Sequence, residues 1–255
     1  MDSLELIIDQ HLNNDRQGPG GAHEFARALA LCGLDQSATI QVADIGCGTG
    51  AATLSLASKL NAKVTAVDFL APFIEKLEHR AAQAGLTECV DTLVASMDDL
   101  PFEPEQFDLI WSEGAIYNMG FTTGVEYWRR FLKPGGVLAV SEITWTTASR
   151  PAQLEDFWQQ AYPEVATSSA KFAILEQAGY SPIGYFTLGE HCWLENYYQP
   201  LQAGKADFLR RHGSSEDALA VVNELDEEQG LYEKYKEFYS YGFYIARIAG
   251  EHPSL

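Results

Sequence analysis

Positive charge is scarce in this chain. Lys and Arg together number 17 against 36 Asp and Glu, a formal net charge of −19. Nucleic acids and anionic membranes are bound through basic surface, so neither is expected as a partner. The excess of acid reads first as a solubility device and leaves a neutral or cationic small molecule open as a ligand. Cysteine is sparse as well: Cys32, Cys47, Cys89 and Cys192 form no C-x-x-C pair, so neither a disulfide nor a metal centre is expected. No H-x-x-x-H pair or carboxylate cluster with ligand spacing appears, and the metal set is expected to be empty. No apolar run approaches the ~20 residues needed to span a bilayer. Met1-Asp2-Ser3-Leu4-Glu5 carries no basic region ahead of an apolar stretch, so no secretory signal is expected and the chain is placed in the cytoplasm.

What the chain does have is 46% hydrophobic residues and a regular alternation of strand and helix signals. Strands are expected at 40–45, 63–67, 90–95, 107–111 and 137–143, with helices at 51–60, 72–84 and 125–132 between them. Helices at 3–12 and 22–33 precede this run. Helices near 154–162 and 170–178, a strand at 183–188, a charged and aromatic helical stretch at 191–238 and a strand at 241–248 follow it. Such alternation implies a parallel α/β sheet covered on both faces, with ligand sites at the carboxyl edge near the point where strand order reverses. We read one unit over 1–255. It divides into N-terminal helices and a lid (1–37), a cofactor-binding core (38–143), substrate-side helices and strand six (144–190), a helical cap inserted between the last two strands (191–238), and the last strand and tail (239–255).

The most telling segment is Val42-Ala43-Asp44-Ile45-Gly46-Cys47-Gly48-Thr49-Gly50, an apolar strand ending in an acid and then three alternate glycines. Glycine lets such a turn bend sharply and lets a ligand touch the backbone. The spacing is G-x-G-x-G, one residue short of the dinucleotide pattern, which disfavours an oxidoreductase. The run resembles motif I of the class I S-adenosylmethionine-dependent methyltransferases. Three more pieces fall in the same order: Asp68 closing the second strand, Ala95 through Phe102, and Phe107-Asp108-Leu109-Ile110-Trp111-Ser112-Glu113-Gly114. Ser96-Met97-Asp98-Asp99-Leu100-Pro101-Phe102 is similar to the ubiquinone/menaquinone-type branch. The wider chain looks like a group of uncharacterised bacterial methyltransferases through Arg16-Gln17-Gly18-Pro19-Gly20, Trp111 through Asn118, Arg150-Pro151-Ala152 and Cys192-Trp193.

The resemblance implies a Rossmann-like, doubly wound, seven-stranded sheet binding S-adenosyl-L-methionine and releasing S-adenosyl-L-homocysteine. It implies that Gly46, Cys47 and Gly48 pack on the methionyl part while Asp44 orients its ammonium. Asp68 would accept the ribose hydroxyls, Phe69 would pack on adenine, and Ser96, Met97 and Asp98 would meet its edge. Ser96 departs from the acid usual at its position. Ser112 and Glu113 would lie below the sulfonium. Arg16 and Gln17 belong to a lid, with Arg16 on the cofactor carboxylate or an acidic substrate. The reaction expected is metal-independent in-line methyl transfer to a small-molecule acceptor, in a monomer or homodimer.

Candidates for the acceptor side come from the strand edges and the cap. Glu113, Tyr117 and His191 are the candidate catalytic residues, with a proton-taking or amine-holding role for Glu113 and a general-base role for His191. Asn118, Glu142, Trp145 and Trp193 are the candidate substrate contacts. Three of these have an ordinary alternative: a solvated or capping acid for Glu113 and Glu142, and a lone histidine without a partner for His191. Aminopropyl transfer on a related fold and a non-catalytic cofactor-binding protein are the competing readings.

Overall fold

The computed structural model describes residues 3–35 and 37–249; the tail assigned at 250–255 and the start at Met1-Asp2 lie outside the described residues. Seven strands run in one sheet: β1 (Ile40–Ile45), β2 (Ala62–Asp68), β3 (Val90–Val94), β4 (Phe107–Glu113), β5 (Leu132–Trp145), β7 (Tyr180–Thr187) and β8 (Tyr239–Ile248). A two-residue strand, β6 (Ala166–Thr167), pairs with β5 at its end. The spatial order is β3-β2-β1-β4-β5-β8-β7, parallel through β5, with β8 antiparallel to both of its neighbours. The order reverses between β1 and β4, and register sets their carboxyl ends side by side, Asp44 opposite both Ala66 and Trp111. Parallel sheets of this kind bind ligands at that reversal.

Strand residues alternate between the two faces. Val42, Leu109, Val137, Ala139 and Ile245 face one core; Ala43, Ile45, Ile110, Leu138, Val140 and Ala246 face the other. The first core is closed by α2 (Ala22–Cys32), α3 (Ala51–Lys59) and α4 (Ala71–Ala84), and Phe25 of α2 packs 4.9 Å from the Trp111 ring. Phe121, Val125 and Trp128 of α5 (Phe121–Arg129) fill the second, with Leu175 of α7 (Ser168–Gln177). The helix expected at 125–132 therefore begins and ends earlier. Gly120 caps its start, while Phe131 and Leu132 are drawn into the sheet core. Leu132 pairs with Phe107, then the register shifts so that Val137 meets Leu109, and Lys133–Gly136 loops out between them.

The helices between β7 and β8 are α8 (Glu190–Trp193), a π-helical turn (Leu194–Tyr198), α9 (Gln199–Arg211) and α10 (Glu216–Tyr235). The first helix, α1 (Ser3–His11), packs against α9 and α10, burying Leu6 among Phe208, Ala218, Val221 and Val222. Trp193 stacks on Tyr232 at 4.4 Å and anchors the insertion over β8. The amino-terminal helix and the late insertion thus share one small core above the sheet's carboxyl edge. Among the described residues, no helix is long and apolar enough to cross a membrane.

Candidate active site

The turn after β1 is shaped by three left-handed glycines, with φ of 76° at Gly46, 54° at Gly48 and 90° at Gly50. Side chains there are excluded by space as well as by backbone: a Cβ on Gly46 would fall 2.3 Å from the Ala115 Cβ, and one on Gly50 2.1 Å from the Leu77 Cδ1. The Gly46 and Cys47 amides donate to the Val67 carbonyl at 2.8 and 2.9 Å, pinning the turn to the end of β2. Burial holds the Cys47 thiol well above its ordinary pKa, so it remains an S–H that fills space.

Beside this turn lies a cavity of about 610 Å³. Its walls bring together Arg16, Gln17, Asp44, Gly46, Cys47, Gly48, Asp68, Phe69, Ser96, Met97, Asp98, Glu113, Tyr117 and Asn118, residues drawn from the lid and from the ends of four strands. Asp44 is buried, and its Oδ2 accepts a 2.6 Å hydrogen bond from the Thr53 hydroxyl. Burial pushes its pKa up to about 7 against that bond, helped by the negative charges of Glu113 and Asp68. Such a carboxyl favours a cationic partner. Asp68 accepts from the Gly48 amide at 2.8 Å and the Leu70 amide at 2.9 Å, one on each oxygen, and burial raises its pKa despite them. Each of its oxygens keeps a second lone pair for a ligand. Phe69 is 67% exposed at the rim, an apolar ring with no core role. A glycine cradle, two acids and an apolar wall of Leu70, Phe73 and Met97 suit a ligand with an ammonium, a vicinal diol and a flat ring.

The lid crosses this cavity and is latched at several points. Arg16 Nη1 donates to Glu113 Oε2 at 2.7 Å, and the Trp111 indole N–H donates to the other Glu113 oxygen at 3.0 Å. Glu113 is therefore a fixed anchor for Arg16, with both oxygens engaged. Gln17 accepts from the Thr49 amide at 2.9 Å and lies where a Gly48 side chain would be. Arg80 of α4 donates to the Thr49 carbonyl at 3.0 Å and pairs with Asp15, joining lid to turn from behind. Asn196 of the cap donates to the Gly20 carbonyl at 2.7 Å. Sequence reasoning missed Arg80 and Asn196 because no local pattern marks a side chain that acts across the fold.

Three other residues of the wall carry no motif: Ile7 and His11 of α1, and Tyr197 of the π-helical turn. His11 lies 6.1 Å from the Tyr197 ring, roughly parallel to it. Burial depresses its pKa to about 4, so the imidazole is neutral at pH 7.

Five expected site residues lie elsewhere. Ser112 is fully buried within β4, on the side away from the cavity wall. Glu142 points into the second core, where it forms a fully buried pair with Lys171 at 3.2 Å. Lys171 Nζ also sits 4.3 Å from the Phe121 ring centroid. Trp145 packs edge-on to Tyr239 and under Arg150, and Trp193 donates its indole N–H to Ser240 in the core. His191 turns to Glu24, 3.2 Å away, and does not line the cavity. A residue at the carboxyl end of a strand or the start of an insertion is near the site in sequence terms. Strand alternation and helix phase then decide which way it faces.

Residues 42–136 match the family model described as a methyltransferase domain. The uncharacterized methyltransferase YodH of Bacillus subtilis is 31% identical over 147 residues, covering 55% of this chain and 62% of that protein. The chain spans less than two thirds of the length of this and the other first-ranked curated relatives. A methyltransferase from Geobacter sulfurreducens, solved with S-adenosyl-L-homocysteine, superposes with a TM-score of 0.83 at 18% identity, over 95% of this chain and 97% of that one. YjhP of E. coli superposes with a TM-score of 0.84 at 18% identity, over 96% and 99%. The chain shares the Rossmann-like α/β fold of these two solved structures.

Proposed function

We propose that this protein is an S-adenosyl-L-methionine-dependent methyltransferase acting on a small-molecule acceptor. The observation that carries the reading is the convergence of Asp44, the Gly46–Gly50 turn and Asp68 on one lidded cavity at the point where strand order reverses. In this reading Asp44 receives the ammonium of the cofactor, Asp68 its ribose hydroxyls, and Phe69 with Met97 its adenine. Ser96 and Asp98 meet the adenine edge, and the Arg16 groups not engaged by Glu113 hold the carboxylate. When bound, the cofactor supplies an activated methyl whose bond to sulfur breaks as the acceptor forms its own, the electron pair staying on sulfur. The chain's own work is alignment and exclusion of water, effects that reach on the order of 7–11 kcal/mol when geometry is favourable.

The acceptor end of the cavity is then lined by Tyr117, Asn118, His11 and Tyr197. With His191 outside the cavity and Glu113 engaged on both oxygens, Tyr117 and His11 are the polar groups we assign to the acceptor. The Leu100-Pro101-Phe102 turn supports placement in the ubiquinone/menaquinone-type branch, and we read 1–255 as one working unit of the cytoplasm, monomeric or homodimeric. The charge of −19 supports a small molecule over a nucleic acid as acceptor.

The test has two arms. Calorimetry with S-adenosyl-L-homocysteine is expected to show one site per chain, lost in Asp68→Ala. Incubation with methyl-labelled cofactor and a fractionated small-molecule extract is expected to give a labelled product. Absence of any affinity for either form of the cofactor overturns the reading.

A further inference from the structure

A second polar cluster lies outside the cavity, beside the lid. Glu24 sits in the first turn of α2, just after the Gly20-Gly21 end of the lid; His191 and Cys192 sit in α8, at the start of the cap. One ligand atom from each of the three lies within 4.8 Å of the others. His191 Nε2 is 3.2 Å from Glu24 Oε1 and 3.5 Å from Cys192 Sγ. The Glu24 side chain is only 9% exposed, and its Oε2 is buried with no hydrogen-bond partner among the described residues. Cys192 is fully buried and His191 is half-exposed, so the group is closed on the protein side and open at the imidazole.

The Cys192 thiol hydrogen-bonds the Glu24 carboxylate and the His191 ring lies 3.2 Å from it, yet Glu24 Oε2 keeps no partner among the described residues. Metal geometry serves the cluster well. Zinc bonds of ~2.0–2.2 Å to nitrogen and oxygen and ~2.3 Å to sulfur, at a tetrahedral angle, set O···N roughly 3.3 Å and N···S roughly 3.6 Å apart. The corresponding separations here are 3.2 and 3.5 Å. The donor set of thiolate, imidazole and carboxylate suits zinc and excludes the all-oxygen preference of magnesium or calcium.

We propose that Glu24, His191 and Cys192 form a zinc site that clamps the lid-bearing end of α2 to the cap. The fourth position falls to water on the open, imidazole side. On binding, the Cys192 S–H bond gives up its proton to solvent and the sulfur bonds the metal; no oxidation change occurs. The site is separate from the methyl-transfer cavity and would stand if that reading failed. Its expectation from the sequence was absence, because the donors lie at opposite ends of the chain and only the tertiary fold joins them.

Cobalt(II) is the probe, added to the full chain after dialysis against a chelator. One equivalent is expected to bind with a near-ultraviolet thiolate-to-cobalt absorption that zinc abolishes by displacement. That absorption is expected to vanish in Cys192→Ser and to persist in Cys89→Ser. His191→Ala, at a half-exposed position that folding tolerates, is expected to weaken cobalt binding by on the order of tenfold or more. No thiolate band in the unmodified chain overturns the proposal, as does a band retained in Cys192→Ser. Should Cys192→Ser fail to fold, unchanged cobalt affinity in His191→Ala overturns it instead.

Discussion

Asp44 shows how one buried acid couples pH to ligand binding. Burial raises its pKa to about 7, so below that pH the free protein holds a proton there. The unfolded state, with an ordinary carboxyl, has already lost that proton above pH 4, so this residue's contribution to stability falls as pH rises from 4 to 7. Cofactor binding in our reading needs the ionised form, so the dependence has the opposite sense. Affinity for S-adenosyl-L-homocysteine is expected to drop as pH falls below 7, by up to about tenfold per unit, and to lose that slope in Asp44→Asn. Calorimetry from pH 5.5 to 8 reads both. At Gly46 the constraint is steric, since a methyl group meets the Ala115 Cβ in a left-handed backbone. Gly46→Ala is expected to destabilise by about 2–4 kcal/mol in urea denaturation, from strained backbone plus overpacking, and to abolish cofactor binding.

At the scale of elements, the lid is held by side chains that reach it from the turn, from α4, from β4 and from the cap. The Arg16–Glu113 pair is better buried than the Arg80–Asp15 pair, with both its side chains about 15% exposed. Arg16→Ala is expected to weaken S-adenosyl-L-homocysteine binding on the order of tenfold, the loss of a charged hydrogen bond, and to speed proteolytic cleavage between 13 and 21. Unchanged affinity in calorimetry would remove Arg16 from the site. Secondary structure at this scale was legible in the sequence wherever punctuation was strong. Gly33 ends α2 and Gly85 ends α4 in left-handed caps at the expected positions. The shift of α5 was not legible, because Phe131 and Leu132 fit a helical period and a strand start equally well, and sheet packing chose between them.

Over the whole molecule, stability depends on a buried polar pair whose acid, Glu142, was expected among the substrate contacts. Glu142 and Lys171 are both fully buried, so each removes an otherwise unpaired charge from the second core. Burial lifts the Glu142 pKa to about 7 against the pull of Lys171, and burial lowers that of Lys171. Glu142→Ala is expected to cost about 3–5 kcal/mol in chemical denaturation, because the buried ammonium loses its ion-pair partner. Glu142→Ala with Lys171→Met together are expected to recover most of that loss, leaving cofactor affinity intact. The sequence by itself determined the parallel sheet, the glycine turn and the acids at the ends of β1 and β2, since these follow from local periodicity, backbone conformation and spacing. Tertiary structure alone decided which edge residues face the cavity. It turned Glu142, Trp145 and Trp193 into the core, sent His191 to Glu24, brought His11 and Tyr197 to the lidded cavity, and set Arg80 behind its glycine turn. The physical reason is that side-chain direction depends on register and helix packing, contacts between residues far apart in the chain that no local pattern records.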